Sequence, residues 1–169
     1  EEIAATSLSL PRASASRDAL PLLQRYVYED RTGANDISLM LESVKSTGVY
    51  YARDAGPEAI VAEPGRTFLL IQVKITNLGH KGESRTYTIR TPEVRAFTLQ
   101  YRETTYTPIT LASGTSLGEP YTATRLDRYG VKTGYIVFDV PAALNLNECS
   151  VRVALDGGDS PVWALGKTL

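Results

Sequence analysis

From residue 37 onward apolar side chains recur at every second position, a period that fits pleated strands and does not fit amphipathic helices. The clearest run spans 68–76, where Leu69, Ile71, Val73 and Ile75 alternate with Leu70, Gln72, Lys74 and Thr76. Such a strand has one buried face and, along its second half, one wet face, as in antiparallel sheets. The pattern returns at Tyr87 and Ile89, at Phe97, Leu99 and Tyr101, and at Ile136, Phe138 and Val140. Cys149, Val151, Val153 and Leu155 repeat it, and residues 162–165 could add a short last strand. Ile37, Leu39 and Leu41 open the series, with Val44 falling into step only across a bulge. Gly- and Asn-bearing loop chemistry separates the runs at 77–82, 113–114, 117–118 and 156–159. Strands with one apolar face each need a second sheet to cover that face, so the expected class is an all-β sandwich of two antiparallel sheets. Its core is expected to hold Leu69, Ile71, Val73, Phe97, Leu99, Ile136, Phe138, Val151 and Val153.

The 169 residues favour one domain, or one domain plus a tail. A chain of this size buries about two-thirds of its surface, enough for a core without disulfide staples. Residues 1–17 are rich in Ala, Ser and Thr without apolar periodicity, and read as a flexible linker or arm. In 18–36, Ala19, Leu22, Leu23, Tyr26 and Val27 stand at helical spacing behind Asp18 as N-cap. That spacing predicts a short N-terminal helix and a connection, with residues 26–28 as a first strand the alternative. The sandwich then occupies 37–169.

The net charge is −1, from 18 basic and 19 acidic residues, so no basic field exists for nucleic acid. One Cys and one His exclude multi-ligand zinc frameworks and any internal disulfide. No stretch approaches the ~18 apolar residues of a spanning helix. The opening EEIAATSLSLPRASASRD has neither a basic n-region nor an apolar h-region and is read as lacking a signal peptide.

Three segments in order carry a resemblance: GRTFLLIQVKITNLG at 65–79, EVRAFTLQYRETTY at 93–106 and GVKTGYIVFDVP at 130–141. Together they resemble the Ig-like domain family of unknown function found in bacterial and archaeal envelope lipoproteins and secreted proteins. The mycobacterial immunoprotective extracellular proteins look like members of the same structural neighbourhood. The resemblance covers about residues 37–156 and implies an immunoglobulin-like sandwich of about seven to nine strands. It also implies an extracellular or envelope-associated location, with any signal or lipid anchor lying upstream. It supplies no catalytic motif, and the Cys pair that bridges antibody sheets is missing.

Each chemically capable residue has a plainer reading beside it. His80, between Gly79 and Lys81, lies in a loop with no Gly-x-Ser-x-Gly elbow to make a triad. Cys149 shares the core-facing side of its strand, where a thiol packs as a small hydrophobe. Asp156 and Asp159 could offer oxygens to Ca²⁺, but Asp156-Gly157-Gly158-Asp159 is also what a tight turn demands. Glu93, Glu103, Glu119, Asp127 and Asp139 could supply a glycosidase-type pair or simply decorate the solvated faces. Tyr50, Tyr51, Tyr101, Tyr106, Tyr121, Tyr129 and Tyr135 could line a recognition face or serve as ordinary strand residues. No N-glycosylation sequon and no phosphate-cradling Gly-rich loop occurs. No catalytic, metal or cofactor residue is therefore assigned. The expectation is a non-catalytic extracellular or envelope interaction module that binds a partner protein or surface glycan; the alternative is an envelope hydrolase using paired surface carboxylates.

Overall fold

The computed structural model describes residues 19–52, 58–80, 82, 88–111 and 114–169. Residues 1–17, Asp18 as N-cap and Tyr87 lie outside them. The strands are β1 (Leu20–Leu22), β2 (Tyr26–Glu29), β3 (Asn35–Thr47), β4 (Val49–Tyr51), β5 (Ala59–Val61), β6 (Arg66–His80) and β7 (Ile89–Arg90). There follow β8 (Phe97–Tyr101), β9 (Thr104–Tyr106), β10 (Arg125–Leu126), β11 (Val131–Pro141), β12 (Cys149–Val153) and β13 (Val162–Thr168). One sheet runs β1-β13-β12-β8-β9, the facing sheet β11-β6-β3-β2, and β4-β5 and β10-β7 form two-stranded ribbons. The fold is an immunoglobulin-like sandwich. Between these strands every pairing is antiparallel except β1 with β13, where Leu20 and Pro21 lie beside Trp163 and Ala164.

Alternation places the core as expected. All nine expected residues are buried in one cluster, joined by Ile37, Leu39, Leu41, Ile75, Val140 and Trp163. The register of β3 on β6 shifts between Leu41 and Ser43, a bulge that returns Val44 to the core side. On the outer face of the same sheet, Tyr50, Phe68, Leu70 and Val137 form a second buried cluster. Ile109, Leu111 and Leu117 pack against it.

The short N-terminal helix is corrected: residues 20–22 and 26–29 are strands, one in each sheet, so both sheets draw on residues before 37. A helix that short is marginal on its own, whereas the edges of β13 and β3 offer ready hydrogen-bond partners. Pro21 suits an edge strand. Leu23 takes a left-handed φ of 71° and donates its N–H to the Leu41 carbonyl, turning the chain from one sheet to the other. Tyr26 and Tyr28 then point inward, while Val27, which a helix would have buried, is 52% exposed.

Candidate functional site

At one end of the sandwich, elements of both sheets surround an open cleft of about 700 Å³. Three stretches far apart in sequence build it: the β2–β3 hairpin, residues 88–96, and the turn after β12. Ile37, Ile89 and Leu155, all buried members of the main core, line its apolar part. Tyr28 lies beside them. Burial, then Tyr121 and then Asp156 raise its pKa well above the ordinary phenol range, so the hydroxyl stays protonated.

The walls are held by hydrogen bonds. Asp30 anchors the hairpin: Oδ1 accepts from the Ala34 and Asn35 N–H groups at 2.9 and 3.1 Å, and Oδ2 from Asn35 Nδ2 at 2.8 Å. Burial raises the Asp30 pKa, but the bonds from Asn35, Thr32 and Ala34 outweigh it and hold the group below its usual value. On the facing wall, the Tyr121 hydroxyl donates to the Pro92 carbonyl at 2.6 Å, and its ring stands edge-on to Phe97 at 5.5 Å. Thr91 and Thr124 exchange two bonds, each 2.9 Å. Arg90 pairs with Glu93 at 3.1 Å. On the exposed surface the Tyr26 hydroxyl donates to Asp159 Oδ2 at 3.1 Å, tying β2 to the turn after β12.

The residues singled out in the sequence are scattered. His80 ends β6, pairs across to Asn35 and does not line the cleft. Cys149 is buried, and its thiol donates to the Asn145 carbonyl at 3.2 Å. Burial, reinforced by Glu148, pushes that thiol up to about 12. Asp156 and Asp159 flank a turn in which Gly158 has a φ of 89° and Leu155 N–H donates to the Asp159 carbonyl. Among the described residues no three His, Cys, Asp or Glu side chains gather as a metal-ligand group. Of the seven acids named from sequence, Glu93 and Asp156 line the cleft. Asp139 instead pairs with Arg66 at 2.7 Å, and Asp127 accepts from Thr88.

The tyrosines do not share one face. Tyr50, Tyr101 and Tyr121 are buried, Tyr135 packs on the second cluster, and Tyr129 is exposed beneath the Arg128 guanidinium. Tyr51 sits with Val49 and Val61 on the outer side of the β4-β5 ribbon. Sequence reasoning overlooked Tyr28, Asp30 and Arg31. The signal for them was present in the alternation of Tyr26 with Tyr28 and in the Asp-Arg-Thr-Gly turn.

No family model and no curated protein matches the chain. Among solved structures it is similar to MPT63, a secreted protein from Mycobacterium tuberculosis, at 16% identity and a TM-score of 0.57, covering 85% of this chain and 94% of that one. It is similar to an uncharacterized β-sandwich protein from Clostridium difficile at 12% identity and a TM-score of 0.50, over 86% of this chain and 92% of the other. A candidate lipoprotein (ycdA) from Bacillus subtilis is similar at 10% identity and a TM-score of 0.53, over 83% of this chain but 38% of its own length. At these identities the likeness is one of fold.

Proposed function

We propose that the chain is a non-catalytic binding module of the cell envelope or the extracellular space, which holds its partner in the cleft at the end of the sandwich. The observation that carries this reading is the cleft itself, a concavity of about 700 Å³ with an apolar base and polar walls fixed by hydrogen bonds. That combination of volume, apolar lining and a few oriented polar groups is what ligand sites share. The groups best able to do covalent chemistry do not line it: Cys149 is buried with its thiol protonated, and His80 ends β6 outside the lining. The extracellular setting rests on the resemblance of the three strand motifs to exported domains. It is supported by the secreted protein and the candidate lipoprotein that share the fold.

The test is to fill the cleft. Ala154 is an exposed lining residue, so Ala154→Trp blocks the space without opening the core. Immobilised wild-type chain should retain a protein or glycan component from an envelope extract, and the variant should lose it. Equal retention by both, or turnover of ester, peptide or glycosidic substrates that depends on a pair of carboxylates, contradicts the proposal.

A further inference from the structure

We infer that the free edge of β5 docks an extended segment of another protein, an alternating apolar strand carrying a basic residue at each end. This surface is separate from the cleft. β3 leaves the cleft at Ile37 and runs roughly 30 Å to Thr47, beside β4.

The pairing of the ribbon fixes which backbone groups stay free. Val49, Tyr50 and Tyr51 of β4 stand opposite Val61, Ile60 and Ala59 of β5. Ala62 N–H donates to the Gly48 carbonyl at 2.8 Å, so the hydrogen-bonded pairs are Gly48 with Ala62 and Tyr50 with Ile60. By the same alternation the N–H and C=O groups of Ala59 and Val61 point away from β4. The matching outward groups of β4 are already taken. Tyr51 exchanges two bonds with Ser116, and Val49 meets the Thr47 hydroxyl through both its N–H and its carbonyl. No described residue does the same for Ala59 or Val61. The side chains agree with the backbone. Ala59, Ile60 and Val61 are all exposed, Val61 to 67%, and Val49 and Tyr51 extend the apolar surface. An apolar edge with two outward donors and two outward acceptors is a template for an added strand.

The charges at its ends name the occupant. Glu58 and Glu63 bracket the strand, both exposed and neither in a hydrogen bond or ion pair with a described residue. Arg66, on which the Glu63 charge acts, is already held by Asp139 at 2.7 Å. Pairing with a second copy would set acid beside acid in either strand direction, which opposes self-association. A strand with Lys or Arg at both ends instead meets a carboxylate at each.

The test titrates the whole chain with two synthetic peptides, acetyl-KTVTVTK-amide and its acidic counterpart acetyl-ETVTVTE-amide. The basic peptide should bind and slow amide exchange at Ala59 and Val61 roughly tenfold or more, leaving Ile60, already bonded to β4, little changed. The acidic peptide should bind more weakly. Val61→Pro removes one outward N–H without touching the bonds to β4, and should weaken binding of the basic peptide about tenfold. Glu58→Gln combined with Glu63→Gln should cost roughly fivefold, the scale of two exposed ion pairs, and narrow the gap between the peptides. Ala154→Trp, which fills the cleft, should leave peptide binding unchanged, so the two sites stand or fall separately. Binding without protection of Ala59 and Val61, equal binding of the two peptides, or no binding of the basic peptide at millimolar concentration overturns the inference. A dimer in sedimentation that Val61→Pro abolishes overturns it too, because the occupant is then a second copy.

Discussion

Asn77 shows how much one polar side chain organises. It is wholly buried at the far end of β6, with Nδ2 donating to the Leu126 carbonyl at 3.1 Å and Oδ1 accepting from Gly79 N–H at 3.0 Å. Its backbone bonds Gly130 and Tyr129, so one residue fixes the approach to β11. Asn77→Ala leaves a buried carbonyl and a buried N–H without partners, at a cost of about 2–3 kcal/mol. Urea unfolding should show a lowered midpoint with an unchanged slope. Asp30 gives a pH dependence of known sign. Its folded pKa lies below the unfolded value of about 3.9, so its contribution is complete above that value. It is lost as pH falls through the folded pKa. Wild type should therefore lose more stability than Asp30→Ala between pH 5 and 2 (roughly the carboxylate window), measured by thermal unfolding across that range. Cys149, with its pKa raised to about 12, should resist alkylation at pH 8 in the folded chain and react once urea unfolds it. Folding then weakens only above the ordinary thiol range, as the unfolded state begins to ionise.

At the scale of elements, two of the three motifs that carried the resemblance have physical causes. The Asn that closes the 65–79 motif is the buried Asn77, and the second Gly of the 130–141 motif is a close approach. A Cβ on Gly134 would lie 2.5 Å from the backbone N of Tyr121, whose segment crosses β11 there. Gly134→Ala should displace residues 119–121, break the bonds from Tyr121 N–H to the Tyr135 carbonyl and from Tyr135 N–H to the Glu119 carbonyl, and cost about 1–3 kcal/mol, the usual range for overpacking. Loss of the Tyr121 bond to Pro92 would loosen one cleft wall, visible as faster amide exchange at 91–93. Long alternating strands such as β6 and β11 were legible because their buried faces repeat over many residues. β2 was not, because four residues with two amphipathic tyrosines fit either period and only pairing with β3 decides between them. The parallel partner of β1 was equally hidden, since β13 lies at the other end of the chain.

For the whole molecule, the β-sandwich and its core followed from local patterning, whereas the cleft did not. Its walls come from 28–37, 88–96 and 154–157, and only the closure of two sheets brings these stretches together. Tyr121 was visible as an aromatic in a late segment, but its role as a buried prop for Pro92 depends on tertiary contact. The same limit applied to the carboxylates: sequence could not pair them, and the structure pairs Asp139 with Arg66 and Glu93 with Arg90. The central claim is that a partner is held in this cleft, and the buried, protonated Cys149 permits a direct measurement of it. Thr32→Cys places a single reactive thiol on the cleft rim. Arg102→Cys places one at the far end of β8, about 17 Å along the strand from its start beside Ala96. Each variant is labelled with an environment-sensitive fluorophore and titrated with a soluble envelope fraction. The account predicts a saturable response from the label at position 32 and none at position 102. A response at 102 alone, or none at 32 while the unlabelled chain still retains its partner, would contradict it.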